Sequence, residues 1–265
     1  VPAKQQIQKL ETKYKGFYID WAQKGSATGY DVEYSVNANM SGAVSKHLTA
    51  NKPDTLTVSG LSGDKTYYVR VRSYTNVNGK VYYGAWSDIK SIKTANNDIT
   101  KATVSGISTK AFTGKAITQN VTVKVGNTVL KNGTDYTVSY SNNKNVGKAT
   151  VKITGKGKYG GVITKTFKIN PAKQEIQKLT AKSKAFFVDW AQKGSATGYE
   201  IQYATNSKFT GAKKVTITNN KTDKTTVSKL SANKKYYVRV RSYTTVGGTK
   251  YYGAWSAVKN VTTKK

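Results

Sequence analysis

Arginine occurs at only four of the 265 positions: Arg70, Arg72, Arg239 and Arg241. Each pair sits in one kind of run, Tyr67-Tyr68-Val69-Arg70-Val71-Arg72-Ser73-Tyr74 and Tyr236-Tyr237-Val238-Arg239-Val240-Arg241-Ser242-Tyr243. Side chains of a strand point to alternate faces. If Tyr67, Val69 and Val71 face a core, then Tyr68, Arg70, Arg72 and Tyr74 form one outward ladder, copied as Tyr237, Arg239, Arg241 and Tyr243. Trp86 and Trp255, within Tyr83–Ser87 and Tyr252–Ser256, are expected beside it from the following strand, together with the pairs Tyr82-Tyr83 and Tyr251-Tyr252. Two chemistries fit such a face. Guanidinium forks hold carboxylates or sulfates in bidentate fashion while aromatic planes stack on sugar rings, which would make a ligand face. Alternatively, the indole packs over the guanidinium groups as a cation–π ladder that stabilises the fold by about 0.5–1 kcal/mol per exposed contact.

Other chemistries find little material. There is no Cys and a single His, His47, which removes disulfides, thiolate metal sites, cysteine nucleophiles and His-rich metal centres. His47 has Thr216 as its counterpart in the repeat described below and reads as a surface residue. Residues 96–170 hold only Asp98 and Asp135, too few for a glycosidase pair, which must flank one bond at roughly 5–9.5 Å. No Asp-rich loop offers the clustered oxygens that calcium wants. The run Gly155-Lys156-Gly157-Lys158-Tyr159-Gly160 matches GxGxxG, but a dinucleotide site needs a helix N-terminus after it. An alternating strand follows instead, so the run reads as a turn. No enzyme, cofactor or metal is expected.

The elements that would position the ladder follow from an internal repeat. Residues 1–94 align with 170–263 at a constant offset of 169, identical at 55 of 94 positions without a gap. In each copy short alternating segments such as Phe17–Trp21, Tyr30–Tyr34 and Tyr67–Arg72 read as strands. Turn residues separate them, at Gly25-Ser26, Gly42, Asn51-Lys52-Pro53, Ser62-Gly63-Asp64 and Asn78-Gly79. Between the copies, Val121–Val125, Tyr136–Tyr140, Ala149–Ile153 and Thr166–Ile169 also alternate, with turns at Asn132-Gly133, Asn142-Asn143 and Gly155–Gly157. No window carries a sustained 3.6-residue period, so essentially no helix is expected. The fold class is all-β: three tandem immunoglobulin-like sandwiches at 1–95, 96–170 and 171–265, in an elongated rod.

These residues resemble the fibronectin type III domain in both terminal thirds. The resemblance rests on Trp21 and Trp190 in the second strand, Gly29-Tyr30 and Gly198-Tyr199 opening the third, and Leu61 six residues before Tyr67, with Leu230 before Tyr236. The last pairs look like a tyrosine corner, whose buried phenol bonds to nearby backbone. The Tyr-Gly-Ala-Trp-Ser segments complete it, and related receptor domains stack such a Trp on Arg. The middle third is similar to a small bacterial immunoglobulin-like repeat through Phe112–Lys115, Asn132–Tyr136, Asn142–Gly147 and Gly155–Tyr159. Together they look like surface or secreted proteins of Gram-positive gut bacteria. That class implies a candidate Lys–Asn isopeptide bond in the middle domain, for which Asp135 would be the assisting acid.

The join Ile169-Asn170-Pro171-Ala172-Lys173 is repeated in Val1-Pro2-Ala3-Lys4, which suggests a preceding middle-type domain and a longer chain of alternating modules. A Pro-containing connection restricts hinge freedom. The charge of +31 rises along the chain: +6 over 1–95, +10 over 96–170 and +15 over 171–265. So basic a composition suggests nucleic acid, yet no nucleic-acid-binding motif appears, and single lysines along strands are how sheet surfaces are solvated. No apolar run approaches the roughly 18 residues of a membrane span, so no membrane insertion is expected in this segment. The expected function is a non-catalytic stalk of an extracellular protein, presenting a head domain. The alternative is an adhesin or carbohydrate-binding module that uses the Tyr/Arg/Trp face. Anionic glycans, teichoic acid, a host surface protein and flanking domains of the same polypeptide are the candidate partners.

Overall fold

In the first repeat, alternation resolves into eight strands: β1 (Ile7–Lys13), β2 (Gly16–Trp21), β3 (Gly29–Ser35), β4 (Val44–Leu48), β5 (Thr55–Val58), β6 (Thr66–Val77), β7 (Lys80–Tyr83) and β8 (Lys90–Lys93). This is a computed structural model that describes residues 1–22, 25–52 and 54–265. Gln23 and Lys24 of the repeat and Pro53 of the expected turn Asn51-Lys52-Pro53 lie outside the described residues. One sheet has the order β1-β2-β5; the other has β4-β3-β6-β7, with β8 also on β6. In the second repeat all eight strands recur at the same 169-residue offset, from Ile176–Lys182 to Lys259–Thr262, with the same two sheet orders. Registers are kept as well: Ile7 pairs with Trp21 and Ile176 with Trp190, each followed by a shift in register.

The inner faces explain that constancy. Phe17, Ile19 and Trp21 are fully buried with Tyr30, Val32, Val69 and Val71. Phe186, Val188, Trp190, Tyr199, Ile201, Val238 and Val240 repeat the set. Trp21 meets Tyr30 with ring centres 5.3 Å apart, as Trp190 meets Tyr199. The tyrosine corners form: Ser62 N donates to Tyr67 Oη at 3.2 Å and Ser231 N to Tyr236 Oη at 3.3 Å. Asn78 and Gly79, at φ +51° and +84°, turn β6 into β7, and Gly247-Gly248 do the same in the second copy.

The chain divides into two compact units. The first comprises Val1–Ser105, Val121–Ser139 and Lys152–Thr164; the second comprises Gly106–Asn120, Tyr140–Val151 and Lys165–Lys265. In the first, Thr103–Ser105 pairs with Thr122–Val125, and Tyr159–Gly160 runs parallel to Asn97–Asp98. In the second, Lys110–Ala111 runs parallel to the end of Val162–Asn170. Thr122–Val125, Tyr136–Ser141, Gly147–Gly155 and Val162–Asn170 are strands, so each alternating segment of the middle third is one. Helix among the described residues is a single 3-10 turn, Ile99–Lys101, where the Asp98 carboxylate accepts from Thr100 N.

The glycine-rich run is a turn between Gly155 and the short strand Tyr159–Gly160, not the start of a helix. Gly155 ends one strand and Val162–Asn170 follows. Lys158 O accepts from Asn96 N and Asn97 N at 3.2 and 2.9 Å. Gly160 is packed so closely that a Cβ would lie 2.9 Å from Ala95 Cβ. The run joins two segments of the first unit. Asp135 accepts from Lys131 N at 2.9 Å and so holds a turn, with its side chain only half-buried, which is not the setting of a buried acid assisting an isopeptide bond.

Candidate functional site

The ladder is built by three neighbouring segments. β3 pairs with β6 so that Asp31 lies opposite Arg72 and Glu33 opposite Arg70. Beyond β7 the chain stays alongside β6: Gly84 N donates to Ser73 O at 2.9 Å and Ser87 N to Val71 O at 2.8 Å, while Ser87 Oγ accepts from Val71 N at 3.1 Å. The serine hydroxyl stands in for a ladder partner, and this pins Trp86 over the sheet. The Tyr-Gly-Ala-Trp-Ser motif thereby acquires a physical reason: glycine for close approach, serine for the bond, tryptophan for the cover.

The Arg72 guanidinium carbon then lies 3.8 Å from the Tyr83 ring centre and 4.4 Å from that of Trp86, with Arg70 on Trp86 at 4.4 Å. Their edges are engaged too. Arg70 Nε and Nη2 donate to Glu33 Oε2 at 2.9 and 2.7 Å. Arg72 Nε donates to Asp31 Oδ2 at 2.9 Å, and His47 Nδ1 meets Asp31 Oδ1 at 2.6 Å. Arg72 thus lies between two aromatic rings and Arg70 against one, each with a carboxylate at its rim that balances its charge.

The second ladder is longer. Tyr252, Arg241, Trp255, Arg239 and Phe209 follow in that order, at 4.0, 4.4, 4.7 and 4.0 Å between successive members. Glu200, whose side chain is 2% exposed, accepts from Arg241 at 2.9 and 2.6 Å and from Lys214 at 2.7 Å. Burial pushes the Glu200 carboxyl up, but hydrogen bonds from Lys214 and Arg241 outweigh it and hold the group below its ordinary range. Arg239 differs: Nε donates to the neutral Gln202 Oε1 at 2.8 Å, and burial together with the nearby Arg241 lowers its pKa.

Two expectations need correction. Tyr74 and Tyr243 are on the ladder face but not exposed, at 4% and 2%. Each ring lies over the glycine that opens the third strand and donates to an edge-strand carbonyl, Tyr74 to Leu48 O at 3.2 Å and Tyr243 to Ile217 O at 3.4 Å. Trp86 and Trp255 lie in irregular segments rather than in a strand. His47 is on the surface, as expected, its side chain 52% exposed; there it is bound to Asp31 and stacks on Tyr74 at 4.7 Å. Tyr68 and Tyr237 are half-buried at the far end of the face.

Sequence reasoning missed the acids. Asp31, Glu33 and Glu200 occupy the outward phase of the same alternation that marks β3 and its copy, so their placement beside the arginines was available from strand pairing alone. Phe209 and Lys214 carried no such signal, because each lies where the repeats differ: Met40 and Ser45 are their counterparts. Among the described residues, no three His, Asp or Glu side chains are grouped so as to hold a metal ion.

Paired antiparallel sheets with this strand order, a buried second-strand Trp and a tyrosine corner define the immunoglobulin-like sandwich class. Within it, residues 171–258 match the family model of the fibronectin type III domain, so the second repeat contains such a domain. Among solved structures, the FN1-FN3 domains of chicken CNTN1 are similar over 100% of this chain and 99% of that one, with 16% identity and a TM-score of 0.33. No curated protein matches the chain.

Proposed function

We propose that this chain is a non-catalytic spacer of a larger extracellular protein, of the kind found on or secreted from Gram-positive bacteria. Two fibronectin type III modules, 1–95 and 171–265, flank an immunoglobulin-like module at 96–170. The observation that carries the reading is the self-sufficiency of the ladders. Arg70, Arg72 and Arg241 have their faces against the chain's own rings and their edges on its own carboxylates. A ligand carboxylate or sulfate would have to displace Asp31, Glu33 or Glu200. The ladders therefore stiffen the modules, and lysine keeps them soluble and close to an anionic wall.

The second reading, an adhesion module for anionic glycans, teichoic acid or a host surface protein, draws on the lysine excess. Residues 171–265 alone carry +15. Glycan arrays on the wild type and on Trp255→Ala and Arg241→Ala separate the two. A spacer shows no saturable, selective binding; a module shows binding that both substitutions abolish with the fold intact. Solution scattering that reports a compact globule would overturn the spacer reading.

A further inference from the structure

The two repeats present the same hairpin in different surroundings. Within the second unit, the loop Asn142–Lys148 and the hairpin residues Val246 and Tyr251 line one hollow of about 430 Å³. A Cβ on Gly147 would lie 3.8 Å from Val246 Cγ1. The loop is pinned from behind: Ile117 N donates to Asn143 O at 2.8 Å, and Asn143 Nδ2 donates to Ile117 O at 2.9 Å. It therefore meets the hairpin as a preformed surface.

Val77 and Tyr82 are the counterparts of Val246 and Tyr251. They line a hollow of about 410 Å³ with Val1, Pro2, Ser26 and Thr75. Val77 is 52% exposed against 43% for Val246, and Tyr82 is 39% exposed where Tyr251 is half-buried; Val81, 40% exposed, stands where the second hairpin has Lys250. The first hairpin is thus more apolar and more open than the one that already has a neighbour. Clustered exposed apolar side chains mark interaction surfaces.

Chain entry is also alike. A Cβ on Gly84 would lie 2.8 Å from Pro2 O, and one on Gly253 would lie 2.9 Å from Pro171 O. Ser73 Oγ donates to Ala3 O at 3.4 Å, and Ser242 Oγ to Ala172 O at 3.3 Å. Whatever is joined ahead of Pro2 is delivered to the first hairpin from the direction in which the middle module reaches the second.

We propose that the Val77–Tyr82 face of the first repeat docks a module of the 96–170 kind, through a loop like Asn142–Lys148. The contact is head-to-tail, so it propagates along alternating modules rather than closing on itself. It stands whether or not the arginine ladders bind a ligand.

The test compares this chain with one lengthened by a second copy of residues 96–170 joined directly to Pro2. In hydroxyl-radical footprinting, oxidation of Val77 and Tyr82 should fall in the lengthened chain to the level of Val246 and Tyr251, which stay as they were. Val77→Lys in the lengthened chain should restore oxidation of Tyr82. A cysteine trap gives an independent readout, since the chain has no native thiol. Asn145→Cys in the added copy should cross-link to Val77→Cys to the extent that Asn145→Cys and Val246→Cys, which line one hollow in the original module, cross-link under the same oxidation. Unchanged labelling of Val77 and Tyr82 without a cross-link overturns the proposal.

Discussion

Gly29 lies opposite Tyr74 in the pairing of β3 with β6, and the tyrosine ring occupies the space that a side chain at Gly29 would need. A Cβ there would run into the Leu48 carbonyl oxygen and lie 2.6 Å from Tyr74 Oη; at Gly198 it would run into the Ile217 carbonyl oxygen and lie 2.7 Å from Tyr243 Oη. Gly29→Ala and Gly198→Ala should each destabilise their repeat by about 1–3 kcal/mol, the usual cost of overpacking. Gly194→Ala, where a Cβ meets nothing within 4 Å, should change little. Denaturant unfolding of the three variants checks this.

Trp255 covers two guanidinium groups, and Trp255→Ala removes both contacts. At about 0.5–1 kcal/mol each, the loss should be about 1–2 kcal/mol, and Trp86→Ala should cost a similar amount. Thermal unfolding measures it. A stability equal to wild type would mean that the indoles are not structural and would reopen the ligand-face reading.

Glu200→Gln should show a pH-dependent defect. The folded-state carboxyl lies below its ordinary 4.5. Its stabilisation is therefore fully present above that pH and is lost as pH falls through the lowered folded value. Near neutrality the variant should be less stable by about 2 kcal/mol, under the roughly 3–5 of a fully buried broken pair because Lys214 and Arg241 remain partly exposed. Unfolding followed from pH 7 down into the acid range, below the carboxyl's ordinary 4.5, should show the gap to wild type closing. A constant gap would contradict the ion-pair assignment.

Gln202→Glu should stabilise the second repeat by about 0.5–1 kcal/mol, because it gives Arg239 the carboxylate that Arg70 has in Glu33. Denaturant midpoints compared at low and high salt are the check, with the gain shrinking as salt rises.

Retention on heparin should come from lysine rather than from the ladders. Arg241→Ala should elute at nearly the wild-type salt concentration, and all retention should weaken as added salt shortens a Debye length of about 8 Å at physiological strength. A markedly earlier elution of Arg241→Ala would show the ladder in contact with the polyanion.

The strands were legible because their faces are chemically unequal. Phe17, Ile19 and Trp21 alternate with polar neighbours, and all three are fully buried. The tyrosine corners and the Trp–Arg stacking were legible for a related reason: large side chains at fixed spacing have few places to go. Tyr74 misled because alternation assigns a face without saying what covers it; the cover comes from His47 and Leu48 on β4, distant in sequence, and from Tyr83 across the β6–β7 hairpin. The carboxylates at the ladder rims were missed because pairing β3 with β6 needs the sheet order, which local pattern does not supply.

The constant 169-residue offset has a consequence during synthesis. Two sequences that agree at 55 of 94 positions and share every register are each other's best wrong partners while still unfolded, and strand exchange between neighbours is a characteristic failure of repeat proteins. A stretch with a different strand pattern separates them. When the first sandwich emerges, the next strands to appear cannot complete it in place of its own, and by the time its twin is made its edges are already closed.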